Sequence, residues 1–324
     1  MYFPSQGLVL VVLYCSTVQC KQETGFSGAL DPPVDKDGWQ RHLEEGGSNN
    51  NFTWNSPSNS NSKQCFQVCV CTEHYADCSG RGLIIPPKVG GTNTPSPEES
   101  VSPALIRTLD LSENNLEELN ENDLLPFSNL QKLILKKNQL AKIPKLPKVG
   151  KRLQTLNLGG NQISEMKSED LQQFPELLNL DLENNLLTLI QDGVFAGNSK
   201  LTILNLGYNR ISSISEGGFR NLKNLQILVL EENQLTSIQE SVFIHTQNIL
   251  ILELNRNYLT ELPPALRALI NLEKITLAKN LIERIEENIL QYCSKLEQLE
   301  LAGNPIHFYH QDAFINLPRL KKLQ

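Results

Sequence analysis

The sequence is poor in aromatic residues and has no surplus of positive charge. Aromatic side chains make up 6% of the 324 residues, and both tryptophans, Trp39 and Trp54, lie in the first sixth of the chain. A core beyond that point must be filled by aliphatic side chains. Acidic residues outnumber basic ones by 36 to 29, for a net charge of −7. This charge repels a phosphate backbone, so no nucleic-acid partner is expected.

The chain also lacks the motifs of common catalytic sites. It has no Gly-x-Ser-x-Gly, no phosphate-binding loop, no His-Glu-x-x-His and no Gly-rich dinucleotide turn. Of the scattered histidines, His307 and His310 are expected on the return side of the last repeat described below rather than on a metal. The sequence predicts a protein that is not an enzyme, with no cofactor and no metal.

No apolar run is long enough to span a membrane. The run from Leu8 to Tyr14, extended to Val18, is shorter than the roughly 20 residues that a spanning helix needs. It predicts a signal peptide over residues 1–20, with Val18 and Cys20 at the −3 and −1 positions of the cleavage site. Because the first six residues carry no Lys or Arg, a cytosolic protein with an apolar N-terminus is the alternative.

Residues 21–64 are rich in Asn, Ser, Gly and Asp. Such a segment buries too little apolar surface to offset its ordering entropy, so a disordered arm is expected. It holds the only N-glycosylation sequon, Asn51-Phe52-Thr53. Ser27, followed by Gly28, is a candidate for glycosaminoglycan attachment; the alternative is an ordinary linker serine.

The rest of the chain is repetitive. The frame Leu-x-x-Leu-x-Leu-x-x-Asn-x-Leu occurs nine times at a spacing of 23 or 24 residues, with its asparagine at 114, 138, 161, 185, 209, 233, 257, 280 and 304. This period and consensus are typical of leucine-rich repeats, each a short strand with an irregular or 3₁₀ return. The predicted fold is an α/β solenoid over 105–324, a horseshoe with a parallel concave sheet, nine repeats and a partial tenth.

The structure expected for each repeat explains why leucine and asparagine occur at fixed positions of the frame. Leu204 and Leu206 alternate with outward residues, because strand side chains switch faces at each step. Asn209 is expected to satisfy backbone groups at a buried bend, since an amide both donates and accepts hydrogen bonds.

Four cysteines, Cys65, Cys69, Cys71 and Cys78, precede the repeats. In a secreted chain they predict two disulfides, with three connectivities open, in an N-terminal cap over 65–87. Zinc is the disfavoured alternative, since there is no second Cys-x-x-Cys pair and His74 is a single imidazole. A Pro-, Ser- and Gly-rich insertion, 88–104, links the cap to the repeats.

The cysteine spacing, the segment Gly82-Leu83-Ile84-Ile85-Pro86-Pro87 and the tandem repeats together resemble the small leucine-rich proteoglycans of the extracellular matrix. The spacing is similar to that of the decorin and biglycan class. The resemblance implies pairing of Cys65 with Cys71 and of Cys69 with Cys78, residence in the extracellular matrix, and binding to collagen or growth factors. The insertion, the near-uniform repeat length and the absence of a C-terminal disulfide ear depart from that family.

Cys293 has no partner near the C-terminal repeats. It could form an intermolecular disulfide, but it occupies the inward position that Leu222 holds in an earlier repeat. A free Cys there behaves as a small hydrophobe, and the buried thiol is the preferred interpretation. The chain ends at the opening of a tenth repeat, 320–324, which is either a truncation or a blunt cap.

The ligand surface is predicted from the frame positions that point outward. Most third, fifth and seventh positions are polar, but one column carries Ile203, Ile227 and Ile251 in adjacent repeats, with Val229 beside them. They predict an exposed apolar stripe, an interaction site, rimmed by carboxylates at Asp181, Glu183, Glu231 and Glu253. The alternative is that strands simply favour β-branched residues.

The expected partner is an extracellular protein, fibrillar collagen or a growth factor, or a second copy of the chain bound concave face to concave face. The leading function is a secreted matrix scaffold that binds collagen. A soluble regulator that sequesters a growth factor, and a purely structural glycoprotein, are the alternatives.

Overall fold

The structure is a computed structural model that describes residues 63–66, 68–88 and 101–324, all within one compact unit, Asn61–Gln324. The predicted signal peptide, residues 21–62 of the arm with Ser27 and Asn51, and most of the predicted insertion lie outside the described residues. So does the side chain of Cys65. Lys63 and Gln64, which the sequence assigned to the disordered arm, instead form the start of the first strand.

Thirteen strands of the described residues form one sheet, parallel from the third strand onward and antiparallel among the first three. In spatial order they are β1 (Lys63–Cys65), β2 (Cys69–Cys71), β3 (Tyr75–Asp77), β4 (Thr108–Asp110), β5 (Lys132–Ile134), β6 (Thr155–Asn157), β7 (Asn179–Asp181), β9 (Ile203–Asn205), β11 (Ile227–Val229), β12 (Ile251–Glu253), β13 (Lys274–Thr276), β15 (Gln298–Glu300) and β17 (Lys322–Leu323).

The returns between these strands are short and mostly irregular, as predicted. Two small parallel sheets lie there, β8 (Leu189–Ile190) with β10 (Ser213–Ile214) and β14 (Arg284–Ile285) with β16 (Phe308–Tyr309). Helical segments in the described returns are limited to α1 (Glu121–Leu124), α2 (Ser168–Leu171) and the 3₁₀ turns Pro103–Leu105, Gly150–Arg152, Glu240–Phe243 and Pro264–Ala268. The parallel-sheet solenoid predicted from the repeats is confirmed.

Aliphatic side chains fill the interior between the sheet and the returns. Leu204 and Leu206 are fully buried, as their frame positions predicted. On the return side, Phe195, Phe219 and Phe243 stack with ring centroids 6.2 and 6.0 Å apart. Each repeat therefore packs on its neighbours at both the strand and the return, which is the source of stability in a solenoid.

The repeat asparagines form a continuous hydrogen-bonded ladder. Asn209 Nδ2 donates to the carbonyl of Leu206 at 3.1 Å and to that of Leu182, in the preceding repeat, at 2.9 Å. Its Oδ1 accepts from the N–H of Leu187, also in the preceding repeat, at 3.1 Å. The same pattern recurs at all nine positions. The predicted role of Asn209 is confirmed, and the ladder also joins each repeat to the one before.

The residue before each ladder asparagine has a left-handed backbone, which was not predicted from the sequence. These residues, with φ between 51° and 75°, are Glu113, Lys137, Gly160, Asn184, Tyr208, Glu232, Arg256, Lys279 and Gly303. Only two are glycine, and a non-glycine residue in this conformation costs roughly 1–2 kcal/mol. The ladder must offset this cost, because it holds the sharp turn in every repeat.

The N-terminal cap continues the sheet through β3, which pairs in parallel with β4. Cys69 and Cys78 form the disulfide that the family resemblance implied. Cys71 is also disulfide-bonded, and its predicted pairing with Cys65 stays a prediction because that side chain is not described. Asn114 Nδ2 donates to the carbonyl of Cys78 at 2.9 Å, so the first ladder asparagine fixes the cap to the repeats.

Cys293 is a free, fully buried thiol, which confirms the preferred interpretation. Its Sγ lies 3.5 Å from the carbonyl oxygen of Leu266. Burial raises the pKa of the thiol to about 12. A neutral, inaccessible thiol is unsuited to an intermolecular disulfide.

Replacement of Asn209 with Ala should destabilise the protein by about 3 kcal/mol or more, because buried backbone groups that lose their partner cost roughly 1–3 kcal/mol each. Urea unfolding measures the loss. Asn224→Ala is the control, since the Asn224 side chain donates at 2.8 Å to the Ser199 carbonyl but is exposed. A loss at Asn209 no larger than at Asn224 would contradict the role of the ladder.

Cys293 should resist alkylation by iodoacetamide at pH 8 in the folded protein and react readily in guanidinium chloride. The physical reason is its burial together with its raised pKa. Mass spectrometry of the peptide that contains Cys293 measures both rates. Equal labelling of folded and unfolded protein would show that the thiol is accessible.

Candidate functional site

The open face of the sheet, which we define as the third, fifth and seventh frame positions, is the candidate site. Strand register places Ile203, Ile227 and Ile251 directly opposite one another on β9, β11 and β12. Asn179 precedes them in this column and Lys274 follows. The predicted row of isoleucines across three adjacent repeats is therefore present.

The sequence predicted that the three isoleucines and Val229 are exposed, and this prediction is wrong for Ile203 and Val229. Ile203 is 2% exposed and Val229 is 4% exposed, while Ile227 and Ile251 are half-buried. Parallel strands lie only about 4.8 Å apart, so side chains in one column cover each other and leave little area to solvent. The row is a closely packed apolar strip with two accessible members rather than an exposed stripe.

The carboxylates beside the strip are also more enclosed than a solvated rim. Asp181 and Glu231 are buried, and Glu183 and Glu253 are half-buried. Asp181 Oδ2 accepts from Asn157 Nδ2 at 3.0 Å, and its Oδ1 accepts from the Glu183 N–H at 3.0 Å. These contacts fix the position of the Asp181 carboxylate beside the strip.

This enclosure shifts the acid–base behaviour of the site. Burial, followed by the charge of Asp181, raises the pKa of Glu183 to about 7, against a smaller opposing effect of Lys136. Burial raises the pKa of Glu231 to about 8, and the nearby carboxylates add to the shift. Both side chains therefore carry a bound proton for part of the time at neutral pH.

Some buried polar atoms of the face lack a hydrogen-bond partner within the described part of the chain. They include Glu183 Oε2, Asn205 Nδ2, Glu231 Oε1 and Thr276 Oγ1. Buried polar atoms are normally hydrogen-bonded, and a carboxylate oxygen can only accept unless it is protonated. The open face therefore offers acceptors, together with the donor Asn205 Nδ2, to another molecule. The sequence identified the carboxylates but could not show that they are buried.

A second row of asparagines, not predicted from the sequence, borders the face. Asn224, Asn248 and Asn271 each precede the first apolar residue of a frame and donate to carbonyls of the preceding repeat at 2.8, 2.8 and 3.0 Å. Their shared frame position was the signal that could have revealed them. This row joins successive repeats along the edge of the sheet at which the strands begin.

The one group of described residues arranged to hold a metal ion lies elsewhere, on the return side of the last repeats. It consists of Glu287, His310 and Asp312, whose ligand atoms lie within 4.8 Å of one another. His310 Nδ1 already accepts from the Asp312 N–H at 3.3 Å. The described carboxylates of the open face form no such group.

Models of repeat families match the C-terminal half of the chain. A leucine-rich repeat model matches residues 152–174, another matches residues 175–235, and the model of the BspA type leucine-rich repeat region (6 copies) matches residues 212–324. No curated protein matches the sequence. No helix in the described residues is long and apolar enough to cross a membrane.

Solved structures share the fold over most of the chain. A chain of the TLR13–ssRNA13 complex is 28% identical with a TM-score of 0.63, and the match covers 68% of this chain and 32% of that chain. A leucine-rich repeat protein of Leptospira interrogans is 25% identical, with a TM-score of 0.57 and coverage of 68% and 60%. A chain of the octameric complex of latrophilin 3, Unc5D and FLRT2 is 26% identical, with a TM-score of 0.61 and coverage of 79% and 82%. The chain thus spans about a third of the TLR13 chain.

Stability should fall as the pH rises from about 5 to 9. The folded pKa values of Glu183 and Glu231 lie above the ordinary value, so the folded state binds more protons than the unfolded state between about pH 4.5 and 8. Stability from these protons is complete below that range and is lost as the pH rises through about 7 and 8. Glu231→Gln removes this ionisation, so its stability relative to wild type should be higher at pH 9 than at pH 5. Urea unfolding midpoints of both proteins at the two pH values measure the difference.

The matched control for this prediction is Glu117→Gln, because Glu117 is exposed on the first repeat. Its effect should be the same at both pH values. If the difference between wild type and Glu231→Gln stays constant from pH 5 to 9, the pKa of Glu231 is not raised.

Proposed function

The chain is a leucine-rich repeat protein, and we propose that it is a secreted matrix glycoprotein whose open face binds a protein ligand, with fibrillar collagen as the first candidate. The observation that carries this proposal is the half-buried pair Ile227 and Ile251 beside carboxylate oxygens that lack partners. An apolar surface next to unsatisfied acceptors is suited to a partner that brings both apolar and donor groups.

Repeat solenoids usually serve as interaction scaffolds, since stacked repeats build an extended binding surface. FLRT2 in the octameric complex is assembled with the proteins latrophilin 3 and Unc5D. TLR13 is in complex with single-stranded RNA. For the present chain the net charge of −7 and the carboxylates of the open face favour a protein over RNA.

Secretion is supported by the predicted signal peptide and by the cap disulfide between Cys69 and Cys78, because disulfides persist in oxidising compartments. The sequon at Asn51 is consistent with the same route. Residence in the matrix and binding to collagen rest on the resemblance of the cysteine spacing to the small leucine-rich proteoglycans.

A soluble regulator that sequesters a growth factor is the second candidate. The carboxylates of the open face favour it where the growth factor presents a basic surface. A second copy of the chain is a weaker candidate, because Asp181, Glu183 and Glu253 of two copies would face one another and like charges repel.

The double variant Ile227→Ala, Ile251→Ala should weaken binding to collagen fibrils about tenfold or more, since apolar contact area is lost at the centre of the face. Cosedimentation of the secreted protein with fibrils measures the affinity, and mobility before and after chondroitinase reports any glycosaminoglycan chain. The control is Ile315→Ala, because Ile315 is 70% exposed on a return.

Equal affinity of the double variant and wild type for collagen would place the ligand away from the open face. If the folded wild type does not bind collagen but binds a basic growth factor saturably, the second candidate replaces the first. If the sedimentation coefficient of wild type rises with protein concentration and that of the double variant does not, the partner is a second copy of the chain.

A further inference from the structure

Three side chains that can ligate a metal come together from the returns of two successive repeats. The short parallel strands β14 and β16 pair Ile285 with Tyr309. The N–H of His310 then donates to the Ile285 carbonyl at 2.9 Å, which holds His310 beside the end of β14. Glu287, two residues beyond Ile285, therefore lies beside the turn that begins at His310.

The turn after β16 brings in the third side chain. The Ala313 N–H donates to the His310 carbonyl at 3.0 Å, and the Asp312 N–H donates to His310 Nδ1 at 3.3 Å. His310 Nδ1 lies 3.8 Å from Glu287 Oε2 and 3.9 Å from Asp312 Oδ2. One ligand atom from each of the three residues lies within 4.8 Å of the other two. Two repeats thus supply one imidazole and two carboxylates to the same point.

These separations are close to those around a bound metal ion. Zinc lies about 2.0–2.2 Å from imidazole nitrogen and carboxylate oxygen, so the ligand atoms of a tetrahedral zinc ion are about 3.4 Å apart. The distances of 3.8 and 3.9 Å from His310 Nδ1 are slightly longer. Small rotations of surface side chains close such a difference, so the backbone already has the arrangement that a zinc ion needs.

The two carboxylates have no cationic partner in the described part of the chain other than His310. Arg284, on β14, is paired with Glu286 at 2.9 Å and lies over the Phe308 ring at 4.0 Å. Glu287 and Asp312 are therefore two close negative charges that no described lysine or arginine neutralises. A divalent cation between them would relieve their repulsion.

The imidazole nitrogen that faces the carboxylates is available to such a cation. The contact of His310 Nδ1 with the Asp312 N–H is longer than the about 2.7–3.2 Å of an ordinary hydrogen bond. Little is lost when the lone pair of this nitrogen binds an ion instead. His310 is half-buried, while Glu287 and Asp312 are exposed. An ion can therefore enter from solvent, and water can complete its coordination.

We propose that Glu287, His310 and Asp312 bind one zinc ion, with water as a further ligand, and that the ion joins the two returns. An imidazole nitrogen together with carboxylate oxygens suits zinc, whereas calcium and magnesium prefer oxygen ligands alone. The site goes beyond the proposed function, because it lies on the return side and does not involve the open face.

The expectation from the sequence that His310 does not bind a metal is replaced by this proposal. Glu287 belongs to the preceding repeat, and it reaches His310 only through the pairing of β14 with β16. No short motif in the sequence therefore contains all three ligands. The signal is the spatial neighbourhood of two repeats, which spacing along the chain does not show.

Zinc would connect two returns that few other contacts connect. β14 and β16 are two residues long, and Cys293, the one cysteine of these repeats, is a free buried thiol. The three ligands meet only in the folded arrangement, so the ion stabilises that arrangement over the locally open one. The turn that carries His310 and Asp312 should therefore open less often when zinc is present.

Calorimetric titration with zinc chloride tests the ligands. Wild type should bind one more equivalent of zinc than His310→Ala or Glu287→Gln. Removal of an outer-shell partner already costs about 10- to 100-fold in metal affinity, so removal of a ligand should cost at least as much. The matched controls are His307→Ala and Glu286→Gln, which remove the neighbouring imidazole and the neighbouring carboxylate and should bind zinc like wild type.

Hydrogen exchange tests whether the ion joins the two returns. With free zinc at ten times its dissociation constant, amide exchange over residues 310–315 should slow about tenfold in wild type. Glu287→Gln removes the single ligand that the preceding repeat supplies, so zinc should not slow exchange in this variant. Glu286→Gln should respond like wild type.

The outcomes decide the proposal without reference to the open face. Zinc binding that is unchanged in His310→Ala or in Glu287→Gln would overturn it, and so would binding of calcium chloride in place of zinc chloride. Exchange in wild type that zinc does not slow would show that the ion does not join the returns. None of these results depends on collagen or a growth factor, so the proposed function stands or falls separately.

Discussion

The sharp turn that follows each strand is the constraint on which the rest of this structure depends. The turn needs a left-handed residue, usually not glycine, and it buries backbone carbonyls and N–H groups. The amide of the next residue, as at Asn209, satisfies these groups in its own repeat and in the repeat before it. Because the same side chain both permits the turn and joins two repeats, the turn and the stacking of repeats form together.

Fixed stacking determines what the open face can be. The ladder aligns equal frame positions on successive strands, so the side chains at one position form a column across the sheet. Inward leucines and the ladder supply the stability. At the fifth position Asp181 and Asn205 also accept from the N–H of the seventh residue, which leaves the third and seventh side chains with no such role. Isoleucine, glutamate or glycine can occupy them, and the resulting surface depends on the order of residues along a column.

The sequence predicted the features that recur and missed those that depend on neighbours. Nine copies of the frame identified the ladder and the inward Leu204 and Leu206. The left-handed positions include Glu113, Lys137 and Tyr208, which share no chemistry, so composition gave no signal. The burial of Ile203 and of Glu231 arises from side chains on adjacent strands, and a frame position alone carries no information about that cover.

A face with buried carboxylates that lack partners reduces stability, yet a solenoid can tolerate it. Each repeat interacts with its nearest neighbours, so the cost at Glu183 and Glu231 is confined to adjacent repeats while the others keep their full packing. Partial protonation further limits the repulsion between these carboxylates. A ligand that supplies hydrogen-bond donors removes the local cost when it binds, and this relief adds to the affinity. The unpartnered carboxylate oxygens therefore lower the stability of the middle repeats in the free protein and favour the binding of a partner that supplies donors.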